Sequence, residues 1–200
     1  SANISGIKQL MSALADIEFI TAKADYAIET VCNIPKINER EYIKIEKGRH
    51  PLISRDKMIP VSLEIGKKDN IILITGPNTG GKTVTLKTVG LITMMAQSGL
   101  AVPAEETSDI GIFTSVYADK GDVQSMEQSL SSFSGHITNI KTILDGVTRN
   151  SLVLLDELGS GTDPIEGAAL AIAIIEYLRE KKVKALITTH YSEVKAYGYN

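Results

Sequence analysis

The sequence predicts an α/β fold with a largely parallel central sheet flanked by helices, preceded by one long helix. Three observations carry this. The apolar run Ile71, Ile72, Leu73, Ile74 leads directly into the glycine-rich stretch Gly76-Pro77-Asn78-Thr79-Gly80-Gly81-Lys82-Thr83 and then into a helical pattern over residues 84–97. A second apolar run, Ser151-Leu152-Val153-Leu154-Leu155, ends in two carboxylates, Asp156 and Glu157. Between and beyond these, strand-like and helix-like segments alternate, as they do when crossover helices join parallel strands.

From the N-terminus, Ile7, Leu10, Leu14, Ile17, Thr21, Ala24, Ile28 and Val31 step by three and four, which predicts a long helix with a coiled-coil-like seam, read as an arm. Pro35 ends it. Period-two alternation predicts strands over 41–46 and 61–65, with 48–51 as a loop and 66–70 as a hairpin-like turn before the 71–74 strand. Ser98-Gly99 stops the next helix. Residues 112–116 are a strand candidate, and 124–147 are expected to be mostly helical with Ile137, Ile140, Ile143 and Leu144 as the apolar stripe. A third helix is expected over 165–182, where Ala168, Ala169, Ala171 and Ala173 offer a small-residue face for packing on a sheet, followed by a core strand over 183–189.

The glycine-rich stretch fits G-x-x-x-x-G-K-[ST] at every fixed position. Glycines let the backbone curl so that successive N–H groups point into one concavity, and the following helix N-terminus adds positive potential. Lys82 is expected to reach the β- and γ-phosphates and the Thr83 hydroxyl to hold Mg²⁺. The acid pair completes the pattern, with Asp156 as a Mg²⁺ partner and Glu157 as the base that orients and deprotonates the attacking water. Thr188-Thr189-His190 ends the last strand, so His190 is expected on the same sheet edge, within reach of a γ-phosphate. Asp163, followed by Pro164 and Glu166, reads as a helix N-cap in a variant of the capping box. The serine-dense segment 125–136 reads either as a linker or helix entry, or as a helix N-terminus facing a phosphate.

Composition narrows the classes. A chain of 200 residues, 43% hydrophobic, suggests one ordinary domain with an appendage. Its net charge of −3 gives no basic footprint for direct nucleic-acid binding. The basic residues Lys8, Lys23, Lys36, Arg40, Lys44, Lys47 and Arg49 are interspersed with acids, which reads as a solvated face. Cys32 is the only cysteine, so no internal disulfide can form and a reducing, cytoplasmic compartment fits. No segment reaches the length of a membrane span and no signal peptide is visible. The start at Ser1 and the stop at Asn200 soon after a strand are what an excised fragment would show.

Taken together, the phosphate loop, Asp122-x-Gln124-Ser125-x-Glu127-Gln128-Ser129-Leu130-Ser131-Ser132-Phe133-Ser134, the stretch from Leu155 through Asp156, Glu157, Gly159, Gly161, Asp163 and Pro164 to Ala171, and Thr188-Thr189-His190-Tyr191 closely resemble the ATPase domain of MutS proteins. Thr79 in Asn78-Thr79-Gly80-Gly81 and the Glu127-Gln128-Ser129-Leu130 segment resemble the bacterial MutS type two branch. The resemblance covers most of the chain from Tyr42 to Asn200, and departs where Ser132 replaces the usual threonine and Gly135 the usual serine.

The resemblance implies an ABC-type P-loop ATPase over residues 36–200, with residues 1–35 as a helical segment from the end of the core and lever region. It implies ATP and Mg²⁺ as cofactors and a homodimer with composite sites. Gly76 through Thr83 would bind nucleotide, Thr83 and Asp156 would serve the metal, and Glu157, Lys82 and His190 would be catalytic. Ser131, Ser132 and Asp163 would reach across the dimer. Branched DNA, in recombination suppression, or collided ribosomes would be the target, engaged through other parts of the protein, and a C-terminal Smr nuclease domain is common in the branch. The competing readings are a transporter nucleotide-binding subunit or the head of a coiled-coil chromosome-organising ATPase. Both would carry a Leu-Ser-Gly-Gly-Gln-like signature where this chain has Ser131-Ser132-Phe133-Ser134-Gly135. A nucleotide-gated dimerisation module with little hydrolysis is the non-enzymatic alternative.

Overall fold

The computed structural model describes residues 2–54, 56–76, 80–120 and 129–198, and within them all side chains except those of residues 2–3 and 129–133. Helix α1 (Ala2–Glu29) leads into β1 (Lys36–Asn38), β2 (Ile43–Gly48), β3 (Val61–Ile65) and β4 (Ile71–Thr75). Then follow α2 (Lys82–Gln97), β5 (Asp109–Gly111), β6 (Ser115–Asp119), α3 (Ser129–Gly146), β7 (Ser151–Leu155), α4 (Pro164–Glu180), β8 (Lys184–Thr189) and α5 (Ser192–Tyr197).

The strands form two sheets. One is wholly parallel in the order β4-β8-β7-β6; the other has the order β1-β5-β2-β3 and mixes parallel with antiparallel pairs. The expected largely parallel central sheet is therefore present, beside a second sheet that the alternation did not separate from it. Residues 66–70 do not make a hairpin: they carry the chain from β3 in one sheet to β4 in the other, closed by Gly66 N–H donating to the Asp69 carbonyl at 2.8 Å. Of the strand expected over 112–116 only Ser115 and Val116 are strand, opening β6; Ile112, Phe113 and Thr114 carry the chain from β5 in one sheet to β6 in the other.

Strand period two assigns the faces. Val153, Leu155, Ala185 and Ile187 pack with Ile140 and Ile143 of α3 and Ala168, Ala171, Ile174, Ile175 and Leu178 of α4. Leu152, Leu154 and Leu186 face the other way, onto Leu86, Val89 and Ile92 of α2, and the same cluster continues into Ile43, Ile45 and Ile65 of the mixed sheet. Helix α2 thus fills the space between the sheets. Gly90 permits its close approach: a Cβ there would lie 2.6 Å from Leu154 Cδ1. Of the four alanines expected to face the sheet from α4, Ala168 and Ala171 are buried, whereas Ala169 and Ala173 face outward, since the helical repeat cannot turn four such closely spaced positions to one side.

Helix α1 keeps its seam unburied. Ile7, Leu10, Leu14 and Ile17 are all more than half exposed, and contact with the body is confined to the C-terminal turns, where Phe19, Ala22 and Tyr26 border a cleft with Leu91, Met95 and Leu100. Val31 has left-handed backbone (φ 54°), so the helix ends before Pro35 is reached. Among the described residues no helix is long and apolar enough to cross a membrane.

Candidate functional site

Parallel register aligns the strand ends. Thr75 pairs with Thr189, Leu155 with Ile187, and Asp119 with Leu155. Gly76, His190, the Asp156–Glu157 pair and Asp119 therefore lie along one carboxyl edge. Neighbouring strands are about 4.8 Å apart, so β4 and β7, with β8 between them, are separated by about 10 Å, at the edge where ligands bind in open α/β sheets.

The loop after β4 has the backbone that the sequence pattern requires. Gly76 (φ 144°) and Gly81 (φ 75°) adopt conformations that favour glycine, and a Cβ on either would meet nothing within 4 Å, so backbone torsion rather than crowding selects the residue. Gly80 precedes the helix; Pro77, Asn78 and Thr79 lie outside the described residues. Lys82 and Thr83 form the first turn of α2. The Lys82 side chain is buried and its ammonium donates to the Gly76 carbonyl, bridging the two ends of the loop.

The acid pair is held on one side by a single threonine. Thr188 Oγ1 donates to Asp156 Oδ1 at 2.6 Å and accepts the Glu157 N–H at 2.8 Å, while the Thr188 carbonyl accepts the Leu158 N–H at 2.9 Å. Asp156 is buried and Glu157 half-buried. Glu157 has φ 51°, a left-handed conformation costly for a residue with a Cβ. Strain of this kind is concentrated at functional sites, where the surroundings over-determine the backbone.

His190 follows β8, exposed, with its ring 4.3 Å from that of Tyr191. Tyr191 is tied into the loop after the acids, its hydroxyl donating to the Gly159 carbonyl at 2.9 Å. Burial raises its pKa, with the Asp163 and Glu193 charges adding to the shift. Asp163 is the N-cap of α4: its Oδ1 accepts from Ile165 N–H at 2.9 Å and Glu166 N–H at 3.4 Å, with Pro164 at the first helical position. The capping role expected from the sequence is present; Glu166 pairs with the Thr162 hydroxyl at 3.4 Å.

Ser131 and Ser132 are in the first turn of α3; their side chains and residues 121–128 lie outside the described set. Gly135 stands where a Cβ would meet nothing within 4 Å, so the departure to glycine is not sterically demanded. Three residues that sequence reasoning gave no role belong to this edge. Asp119, buried at the end of β6, accepts from Asn139 Nδ2 at 2.6 Å and faces His136 Nδ1 at 3.0 Å. An acid at a strand end followed by His and Asn three apart on a helix was the available signal.

No cluster of three or more His, Cys, Asp or Glu side chains suited to a metal is found among the described residues. The residues expected at a metal offer one carboxylate, Asp156, and one hydroxyl, Thr83. So sparse a set of hard oxygens would suit Mg²⁺, an ion that commonly keeps several waters and takes ligands from substrate phosphates.

The family model described as MutS domain V matches residues 72–198. "Endonuclease MutS2" of Fusobacterium nucleatum is 63% identical over 184 residues, covering 92% of this chain and 24% of that protein. The protein of the same name from Clostridium botulinum is 56% identical over 198 residues, covering 99% of this chain and 25% of its own length. That from Halalkalibacterium halodurans is 55% identical over 190 residues, with 95% and 24% covered. The chain spans about a quarter of the length of these curated relatives. It belongs to the MutS family, within the MutS2 branch.

Proposed function

We propose that this chain is the ATP-binding and ATP-hydrolysing motor of a MutS2 protein, an ABC-type P-loop ATPase that closes as a homodimer around composite nucleotide sites. The observation that carries the reading is the shared carboxyl edge of β4, β8 and β7, which brings Lys82, His190 and the Asp156–Glu157 pair to one side of the sheet. The backbone of residues 76–83 cradles the phosphates, and Lys82 neutralises charge on the β- and γ-groups. Thr83 and Asp156 would hold Mg²⁺, which supplies charge neutralisation and orientation of the β- and γ-oxygens. Glu157 orients a water for in-line attack on the γ-phosphorus and accepts its proton as the bond to the bridging oxygen breaks and ADP leaves. His190 contacts the γ-phosphate and reports its presence. Ser131 and Ser132 meet the nucleotide of the partner subunit, and Asp163 lies in the loop that crosses the dimer.

Residues 1–35 act as the connection to the core and lever region, and residues 36–200 as the ATPase unit. The exposed seam of α1 supports that division. Through the remainder of the protein, nucleotide state is coupled to branched DNA or to collided ribosomes in the cytoplasm, associated with nucleoid or ribosome. The nuclease activity in the relatives' names is assigned to sequence outside this chain.

Glu157→Gln tests the reading. It removes the proton acceptor and keeps the shape. ATP is still bound, hydrolysis falls by roughly 10²–10⁴-fold, and light scattering detects a dimer in Mg·ATP that is absent without nucleotide. Full turnover by this variant removes Glu157 from the base role, and failure of wild type and variant to respond to ATP removes the reading altogether.

A further inference from the structure

The acid pair has a neighbour on each side, because β7 lies between β8 and β6. On the β8 side Thr188 bonds both Asp156 and Glu157. On the β6 side the contact is built from a different element. The Asp156 N–H donates to the Asp119 carbonyl at 3.1 Å, so the contact between the strands runs one residue past the end of β7. Asp119 is only 7% exposed, and nothing in the hydrolysis described above uses its carboxylate. Burying a carboxylate is costly unless donors satisfy it. Both donors come from α3: Asn139 Nδ2 at 2.6 Å from Oδ1, and His136 Nδ1 at 3.0 Å from Oδ2. An ionised carboxylate only accepts, so the Nδ1 of His136 carries the proton in this pair.

His136 and Asn139 are one turn apart on α3, which places them on the same helical face. The His136 ring also lines a small cavity together with Asp156, Glu157, Gly159 and Ser160. Helix α3 is thereby fixed to the end of β6, whose last carbonyl receives the Asp156 N–H on the side opposite Thr188. Glu157 sits at a left-handed backbone position that its surroundings must enforce, so a clamp lost from one flank leaves the elbow free to relax.

We propose that Asp119, His136 and Asn139 are positioning residues: they fix α3 against the Asp156–Glu157 elbow, hold the Glu157 carboxylate in line for water activation, and link hydrolysis in one subunit to the helix that meets the nucleotide of the other. The inference rests on the ATPase reading above. It separates alignment from binding, because none of the three residues is in the phosphate loop.

The test uses the full-length protein and measures ATP affinity, KM, kcat and melting temperature for wild type, His136→Leu and His136→Asn. The leucine variant is expected to lose roughly 10- to 100-fold in kcat, the size of a misalignment effect, with ATP affinity within about twofold of wild type. The asparagine variant, whose side-chain amide replaces the Nδ1 donor, recovers most of that rate. Should the leucine form not fold, Asp119→Asn keeps the shape of the acid, and the same loss of kcat at constant affinity is read from it. Wild-type kcat in these variants overturns the proposal. So does a parallel loss of affinity, rate and melting temperature that asparagine fails to rescue, which is the signature of a merely structural contact. A wild-type protein that binds no ATP removes the function reading itself, and that outcome is distinguished before any His136 variant is made.

Discussion

The two sheets share one core but divide the labour. In the parallel sheet, β7 and β8 are buried at every position, and every candidate catalytic group stands at its carboxyl edge or on the helices that follow. In the mixed sheet, β3 alternates between buried or half-buried and exposed residues, and no residue expected at the site belongs to it. Both sheets press on α2, the helix whose first turn carries Lys82 and Thr83. Parallel alignment collects strand ends on one side, and with them the loops that can meet a phosphate chain. A mixed sheet scatters its loops to both ends and so supports α2 without adding to the site.

The largest expected break of this division is Lys82→Ala. It removes the cation from the phosphate loop at the parallel-sheet edge and is expected to weaken ATP binding about 100-fold or more, read by titration with a fluorescent nucleotide. Unchanged affinity would detach the phosphate loop from nucleotide binding. Next in size is a paired truncation that compares the sheets directly. Leu154 is 3% exposed and packs against Gly90 of α2; Leu154→Ala is expected to cost about 2–5 kcal/mol. Leu63, half-buried on β3 against the same cluster, is expected to cost about 1–1.5 kcal/mol when truncated. Urea unfolding measures both, and equal costs would contradict the division.

The smallest effect lies in the β2–β3 connection of the mixed sheet. Burial, then the nearby Lys87 charge, lowers the pKa of His50, whose Nδ1 accepts the Leu52 N–H at 3.2 Å. As pH falls, the unfolded chain takes up this proton first, near the ordinary histidine value of about 6.5. The contribution is therefore fully present above that value and is lost as pH falls through the folded pKa. The urea midpoint of wild type should drop slightly between about pH 7 and 5.5, and His50→Gln should remove that part of the drop.

Most of this architecture could be read from the sequence because strand–loop–helix punctuation is local. The phosphate loop, both apolar strands, α2, the Asp163 cap and the alternation around them depend on neighbours within a few residues. The failures were of a different kind. Period two reports which face of a strand is apolar, but not which strand lies beside it. Hence alternation alone makes the turn at 66–70 a hairpin and runs the residues that connect β5 to β6 into the start of β6. The Thr188 and Asp119 contacts to the acid pair bridge residues separated by 32 and 37 positions in the chain, closed only by sheet order.

The loop after the acid pair lies against the first turns of α4 with no room to spare. A Cβ built on Gly159 would stand 2.4 Å from the Gly167 carbonyl oxygen, and one on Gly167 would stand 2.4 Å from the Gly159 oxygen. Neither obstacle is a side-chain tip that could swing aside. A saturation library of this chain should therefore show two blank columns at positions 159 and 167, with even alanine absent among survivors. Nor can a change at one site be rescued by a change at the other, since both obstructing atoms are main chain.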